Sequence, residues 1–299
     1  MNRYSTGLAY GLGAYLLWGL LPLYWKLVES AGPFEILAHR GIWSLLLCLF
    51  LLMVRKQLKS AYEMVKGRRT FAILFLASGM LMLNWSVFIW AVTEERVVES
   101  ALGYYITPLI NVTLGIVLLR ESLRPLQKVA VGLASVGVLV LTIGYGALPW
   151  VALVLSTSWA CYSLIKKKLK LGALETLSVE ALFAFLPNLI YLMSIEQAGS
   201  ATFGKDAWLS LLLFGAGAAT VAPLLLFNGA ATRLPLSTLG LLQYTTPTMM
   251  FLIGVFINRE DMAPTKLIGF AFIWSALAFL SRDLLKSSRS VDDSVAKAL

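Results

Sequence analysis

The sequence predicts an all-α polytopic membrane protein of about ten transmembrane helices, arranged as two inverted five-helix repeats. Three observations carry this. Apolar residues make up 59% of the 299 residues and charged residues 14%, well below the ~25% charge of a soluble domain. That leaves too little polar surface to face water all round. The apolar residues also run in long stretches, such as 42–54 and 129–143, where a bilayer core of roughly 30 Å asks for about 20 per helix. Finally, the second half of the chain repeats the first at an offset of about 140 residues: Trp18 falls on Trp159 (159 − 18 = 141) and Tyr105 on Tyr244 (244 − 105 = 139).

Run 7–27 follows Arg3 and continues into Trp25-Lys26 with no small-x-small cleavage site, so it reads as a retained first helix, not a cleaved leader. Runs at 34–54, 71–92, 100–119 and 126–143 complete a first set of five. A second set lies at 150–165, 176–195, 207–231, 236–257 and 264–281, its first member the shortest. Pro22, Pro108, Pro187, Pro223 and Pro247 fall inside runs, where neighbouring helices re-satisfy the freed carbonyls. Such breaks often line transporter cavities.

The net charge of +9 is a topology signal, not a nucleic-acid surface, because the cations cluster in alternate loops. One set holds Arg55, Lys56, Lys59, Lys66, Arg68 and Arg69, then Arg120, Arg124 and Lys128, then Lys166, Lys167, Lys168 and Lys170, then Arg233. Arg3 and the basic carboxyl end fall on the same side. The opposite loops carry Lys26, Arg96, Lys205, Arg259 and Lys266 beside Glu94, Glu95 and Glu99. Cytoplasmic loops are the positive ones, so both termini are expected in the cytoplasm of a bacterial cell, with the chain multi-pass in the inner membrane. The expected organisation is a first repeat over 1–145, a second over 146–283 and a flexible polar tail over 284–299.

The repeat is densest where 104–132 meets 243–271. Thr107-Pro108 falls on Thr246-Pro247, Arg120-Glu121 on Arg259-Glu260, and Pro125 on Pro264. Lys26, Gly32 and Glu35 match Lys167, Gly172 and Glu175. Five helices per half is an odd number, so the second half enters the membrane upside down. Inverted repeats of this kind build secondary transporters with a site near the midplane.

With its two R-E-x-x-x-P segments, each leading into a glycine-containing apolar helix, the chain resembles the EamA-type permeases of the drug/metabolite transporter superfamily. The opening 13–27 and Glu35–Arg40 look like its RarD-like branch, named for a chloramphenicol permease. The resemblance extends to about Asp283. It implies ten helices, a central cavity lined chiefly by the third, fourth, eighth and ninth, and alternating access. One departure stands out: Arg40 aligns with Glu180, which breaks strict symmetry at that position.

Charges at membrane depth are costly, on the order of 2.5–3.5 kcal/mol each on insertion scales, and each is a functional hypothesis. Arg40 lies roughly 9 Å inside one face and Glu180 at a similar depth from the other, too far apart to pair. The expected pairings are therefore Arg40 with Glu99 as an outer gate and Arg233 with Glu180 as an inner gate. His39, the single histidine, lies one turn after Glu35. With Glu180 it is a candidate proton carrier, and protons are the candidate coupling ion. Asn84, Trp85, Tyr104, Tyr105, Asn111, Asn228, Gln243 and Tyr244, with the pair Trp18 and Trp159, are the candidate substrate-binding residues, because flat aromatic faces with a few amides and hydroxyls make small-molecule pockets. Gly103, Gly115, Gly132, Gly215, Gly217 and Gly254 are expected to let helices approach closely.

Cys48 and Cys161 lie in apolar runs and are too few for a disulfide or zinc framework. The common nucleotide, zinc-protease and serine-hydrolase motifs are missing from the sequence. No enzyme activity, cofactor or metal is expected. The partners expected are a small-molecule substrate and the lipid bilayer, with no nucleic acid, and the chain acts as a monomer or homodimer. The functional class is an exporter of a small metabolite or drug, amino-acid-like or aromatic, with amphenicols among the candidates. A passive facilitator is the rival, separated from it by dependence on an ion gradient.

Overall fold

In the first half, α1 (Arg3–Leu27), α2 (Pro33–Val54), α4 (Arg68–Thr93), α5 (Val97–Leu119) and α6 (Pro125–Tyr145) are the five spans. This computed structural model describes residues 3–93, 96–145, 149–169, 171–257 and 264–296. The second half supplies α7 (Trp150–Leu169), α8 (Ala173–Gln197), α9 (Ala207–Ala231), a broken ninth span and α12 (Pro264–Ala296). Among the described residues, eight helices are long and apolar enough to cross a membrane by length and composition. With α7 and α12 the spans among the described residues number ten. The last of them continues as helix through 284–296.

Local chemistry sets the element ends. Gly32 takes φ 74° immediately before Pro33, which opens α2; glycine carries the positive φ at little cost and proline suits a first helical position. Asp206 caps α9 by accepting from Leu209 N at 2.6 Å. Short α3 (Leu58–Lys66) occupies the basic stretch read as a loop, with only Ala61 buried. Its one apolar stripe rests on α4 and α8.

The largest departure from a plain ten-helix reading is the ninth span. It divides into α10 (Leu236–Leu242) and α11 (Thr245–Leu252), followed by a π-helical turn at Ile253–Ile257. Pro247 has no N–H to give the Gln243 carbonyl, which instead accepts from Thr246 N at 3.0 Å. Its repeat equivalent Pro108 sits in an unbroken α5, so the same residue breaks one half and not the other.

Helix packing follows a two-fold pattern. The pairs α6–α12, α2–α8 and α5–α10 join corresponding spans. The pair α1–α9 has its exchange partner in α4–α7, and α5–α7 has its partner in α1–α11. Close approach depends on glycine at several crossings. A Cβ on Gly217 would lie 2.6 Å from the Trp43 backbone carbon, one on Gly103 3.1 Å from Leu155, and one on Gly215 2.9 Å from the Tyr24 hydroxyl. Gly115 is likewise crowded, 2.7 Å from the Glu121 carboxylate. Gly132 is the exception, with open space where its side chain would be, so it has no packing role among the described residues. The side-chain position of Gly254 lies outside them.

One end of the bundle is tied shut across the halves. Glu121 accepts from Leu236 N at 2.7 Å, from Ser237 N at 2.9 Å and from the Ser237 hydroxyl at 2.7 Å, capping α10. Arg124 pairs with Asp283 at 2.9 Å, and Lys167 donates to the Leu234 carbonyl. The first R-E motif is thus a clasp between halves; the second, Arg259-Glu260, lies outside the described residues.

Candidate functional site

The repeat-equivalent aromatics meet on the axis between halves. Trp18 of α1 and Trp159 of α7 pack edge-to-face with ring centroids 5.3 Å apart. Phe227 lies 5.6 Å from Trp18 and 5.3 Å from Trp159, and Tyr15 lies 5.7 Å from Trp18. A second equivalent pair also touches: Tyr244 donates its hydroxyl to the Tyr105 carbonyl at 3.2 Å. Beside it Asn111 donates to the Gln243 side-chain oxygen at 3.2 Å, linking α5 to the break in the ninth span.

On one side of this aromatic plug sits Glu180 of α8. Lys166 Nζ lies 2.8 Å from its Oε1, and the Tyr162 hydroxyl donates to Oε2 at 3.1 Å. Lys166 also donates to the Thr176 hydroxyl at 2.7 Å, and Tyr162 reaches the Asn228 Oδ1 at 3.5 Å. Ser78 of α4 donates to the Glu180 backbone carbonyl at 3.1 Å. All of these polar groups are buried. Two donors nearby, Asn228 Nδ2 and Trp159 Nε1, are buried without a hydrogen-bond partner.

On the other side sits Arg40 of α2. Its Cζ lies over the indole of Trp25 at 4.6 Å and over that of Trp85 at 4.9 Å. Nε donates to the Thr220 hydroxyl at 3.0 Å, and the Tyr104 phenol is near enough to interact electrostatically. Arg40, Trp25, Trp85 and Tyr104 are all half-buried. Residues 236–242 beyond the plug are wholly buried. The Arg40 centre thus keeps some accessible surface, whereas α10 at the end bearing the Glu121 clasp is wholly covered.

The two centres are repeat equivalents. Glu180 is at Arg40 plus 140, and Lys166 is at Trp25 plus 141. Trp25 follows Trp18 by seven residues and Lys166 follows Trp159 by seven. At 1.5 Å per residue each centre stands about 10 Å from the plug, in opposite directions.

The other sequence candidates fall as follows. Arg233 does not meet Glu180. It lies past the end of α9, donates back to the Gly229 carbonyl at 2.8 Å and covers Tyr10 at 5.2 Å, while Glu180 is already met by Lys166. The Glu99 side chain lies outside the described residues. Asn84 donates to the Leu155 carbonyl at 2.7 Å and to Ser158 at 3.0 Å, tying α4 to α7. His39 accepts from Trp43 Nε1 at 3.2 Å, stacks on Phe203 at 4.7 Å and lies 3.8 Å from Glu35. Glu35 in turn accepts from Thr202 N at 2.8 Å and Phe203 N at 3.1 Å. Glu35, His39 and Phe203 line a cavity of about 400 Å³ with Leu192, Met193 and Glu196, apart from the Arg40 and Glu180 centres. Lys166 and Trp25 escaped the sequence reading, the first because it heads a run of lysines assigned to a loop. The repeat offset that pairs Arg40 with Glu180 also pairs Trp25 with Lys166, and was the available signal.

Comparison with known proteins agrees with this architecture. A family model described as the EamA-like transporter family matches residues 5–143 and 148–282. The chain is 45% identical over 289 residues to Protein RarD of Streptomyces exfoliatus, covering 96% of this chain and 92% of that protein. It is 42% identical to Protein RarD of Salmonella typhi over 95% of this chain and 97% of the other. A solved crystal structure matches with TM-score 0.74 and 18% identity, covering 93% of this chain and 97% of that one. At that identity the likeness is one of fold.

Proposed function

Because the chain belongs to the EamA-like transporter family, we propose that it is a secondary transporter exporting a small metabolite or drug, amino-acid-like or aromatic, across the bacterial inner membrane by alternating access. The observation that carries the reading is the Trp18–Trp159 plug with a charged centre about 10 Å to either side. A plug between two sites, each nearer one face, is the arrangement a carrier needs if only one site is to meet water at a time. The halves 1–145 and 146–283 are the bodies that rock, with both termini cytoplasmic on the strength of the basic loops.

In this reading Glu180 is the proton-coupling residue. Its carboxylate is buried against Lys166 and Tyr162, where a proton gained or lost changes the charge of the whole network. His39, held by Trp43 and Phe203 near Glu35, positions the segment that follows α8. Arg40 stands at the outer gate, and Lys166 takes the place of Arg233 at the inner one.

The experiment is uptake into proteoliposomes of amino acids, aromatic metabolites and amphenicols, with and without an imposed pH gradient. Accumulation above equilibrium that requires the gradient and is lost in Glu180→Gln is the expected result. Saturable flux that only equilibrates, with or without Glu180, would make the protein a facilitator.

A further inference from the structure

We propose that Arg40 is the anion-recognition element of the transport site, and that the substrate is a small monocarboxylate carrying a flat apolar group. This rests on the transporter reading above and narrows it to a chemical class.

The inference starts from what the two equivalent centres do differently. In the second half the buried charge is Glu180, and the α7 position seven residues past the plug supplies a cation, Lys166, at 2.8 Å. In the first half the buried charge is Arg40, and the equivalent α1 position supplies an indole, Trp25. Among the described residues, the anion that symmetry would place there is not found. Among the described residues no carboxylate pairs with Arg40; its neighbours are two indoles, a phenol and the Thr220 hydroxyl.

Those neighbours leave part of the guanidinium unused. Indole faces attract a cation without accepting its N–H groups as a carboxylate does, and Thr220 takes only Nε. The two terminal nitrogens, with four N–H donors, have no hydrogen-bond partner among the described residues. A guanidinium presents these donors as a planar fork that a carboxylate matches with two parallel bonds. Arg40 also keeps some accessible surface, so the described residues do not seal it in completely. A single positive charge is balanced by a single negative one, which selects a monoanion over a phosphate dianion. Trp85 and Tyr104 beside the fork offer flat faces for the rest of the molecule.

The test is equilibrium binding of radiolabelled phenylacetate to the purified full-length protein, competed by unlabelled phenylacetate, indole-3-acetate and their neutral amides. Each acid should compete at least tenfold better than its amide in the unmodified protein, a comparison that needs no variant. Arg40→Gln, checked for monodispersity, should abolish the preference, and Arg40→Lys should lose most of it because an ammonium has no planar fork. Equal competition by acid and amide, absence of saturable phenylacetate binding, or a preference that survives Arg40→Gln would each overturn the proposal. Counterflow of the same solutes in proteoliposomes separates this from the transporter reading. Acid-selective binding without any flux rejects transport and keeps the anion site. Flux of neutral solutes that is indifferent to Arg40→Gln keeps transport and rejects the site.

Discussion

Lys166 Nζ stands 2.8 Å from Glu180 Oε1, and both side chains are almost wholly shielded from water. Removing one partner of such a pair strands the other charge, a loss of about 3–5 kcal/mol, while replacing both with apolar residues is often neutral. Lys166→Met alone should therefore unfold at markedly lower temperature in detergent. The double variant Lys166→Met/Glu180→Leu should recover most of that loss yet show no gradient-driven accumulation. If the single variant melts with the unmodified protein, the pair does not lie in a dry interior.

Glu121 holds the first turn of α10 through three hydrogen bonds. A carboxylate at a helix start satisfies otherwise unpaired N–H groups and favours the helix dipole. Glu121→Ala should cost about 1–2 kcal/mol, in line with loss of a capping residue. Glu121→Gln should cost less, since an amide oxygen can keep one bond. Chemical denaturation of the two variants in detergent checks the order, and a neutral Glu121→Ala would show that the clasp contributes nothing to stability.

Gly217 and Gly132 make a controlled pair. A methyl at Gly217 meets the backbone of Trp43 at 2.6 Å, which no rotamer change relieves, whereas one at Gly132 meets nothing. Gly217→Ala should destabilise by about 1–3 kcal/mol, the usual cost of overpacking, through separation of α2 from α9. Gly132→Ala should leave the melting temperature unchanged or slightly raised, as expected of alanine in a helix. Equal melting temperatures for the two would contradict the α2–α9 contact.

Trp18 and Trp159 fill the axis together. Truncating either should open a leak through the plug. Trp18→Ala and Trp159→Ala should each raise passive flux of substrate in proteoliposomes and dissipate a pH gradient faster than the unmodified protein. Phenylalanine at either position, which keeps a ring, should leak much less. A tight Trp159→Ala vesicle would show that the barrier lies elsewhere.

Much of this molecule is legible in its sequence because a bilayer imposes a simple rule on composition. The span 207–231 coincides with α9, since its apolar length and the Asp206 cap agree. The reading failed where a short-range rule meets a long-range one. The Lys166–Lys168 run looks like a loop by charge, yet α7 continues to Leu169 and turns Lys166 inward to a carboxylate on α8, a partner that charge counting along the chain cannot reveal. Pro108 and Pro247 are the same residue in the same repeat position, yet only the second lies beside a helix break, a difference that proline content alone does not reveal. The site was half visible: Trp18, Trp159, Arg40 and Glu180 were named, but the Arg233 pairing assumed that depth alone chooses partners. Where the helix ends chooses them too: Arg233 lies past the end of α9 and turns onto Tyr10.

An arginine about 10 Å from the plug, with no carboxylate among the described residues against it, also has an electrical consequence. A charge that crosses a membrane field gains or loses about 2.3 kcal/mol per 100 mV. While Glu180 is ionised it and Lys166 cancel within their own pair, so Arg40 is a charge the voltage can grip. When a monocarboxylate occupies the fork, that grip is released and the loaded protein changes state almost without feeling the potential. The empty protein feels it in full. Membrane voltage then governs the rate of the unloaded return, and in a cell it would set turnover without altering how tightly the cargo is held.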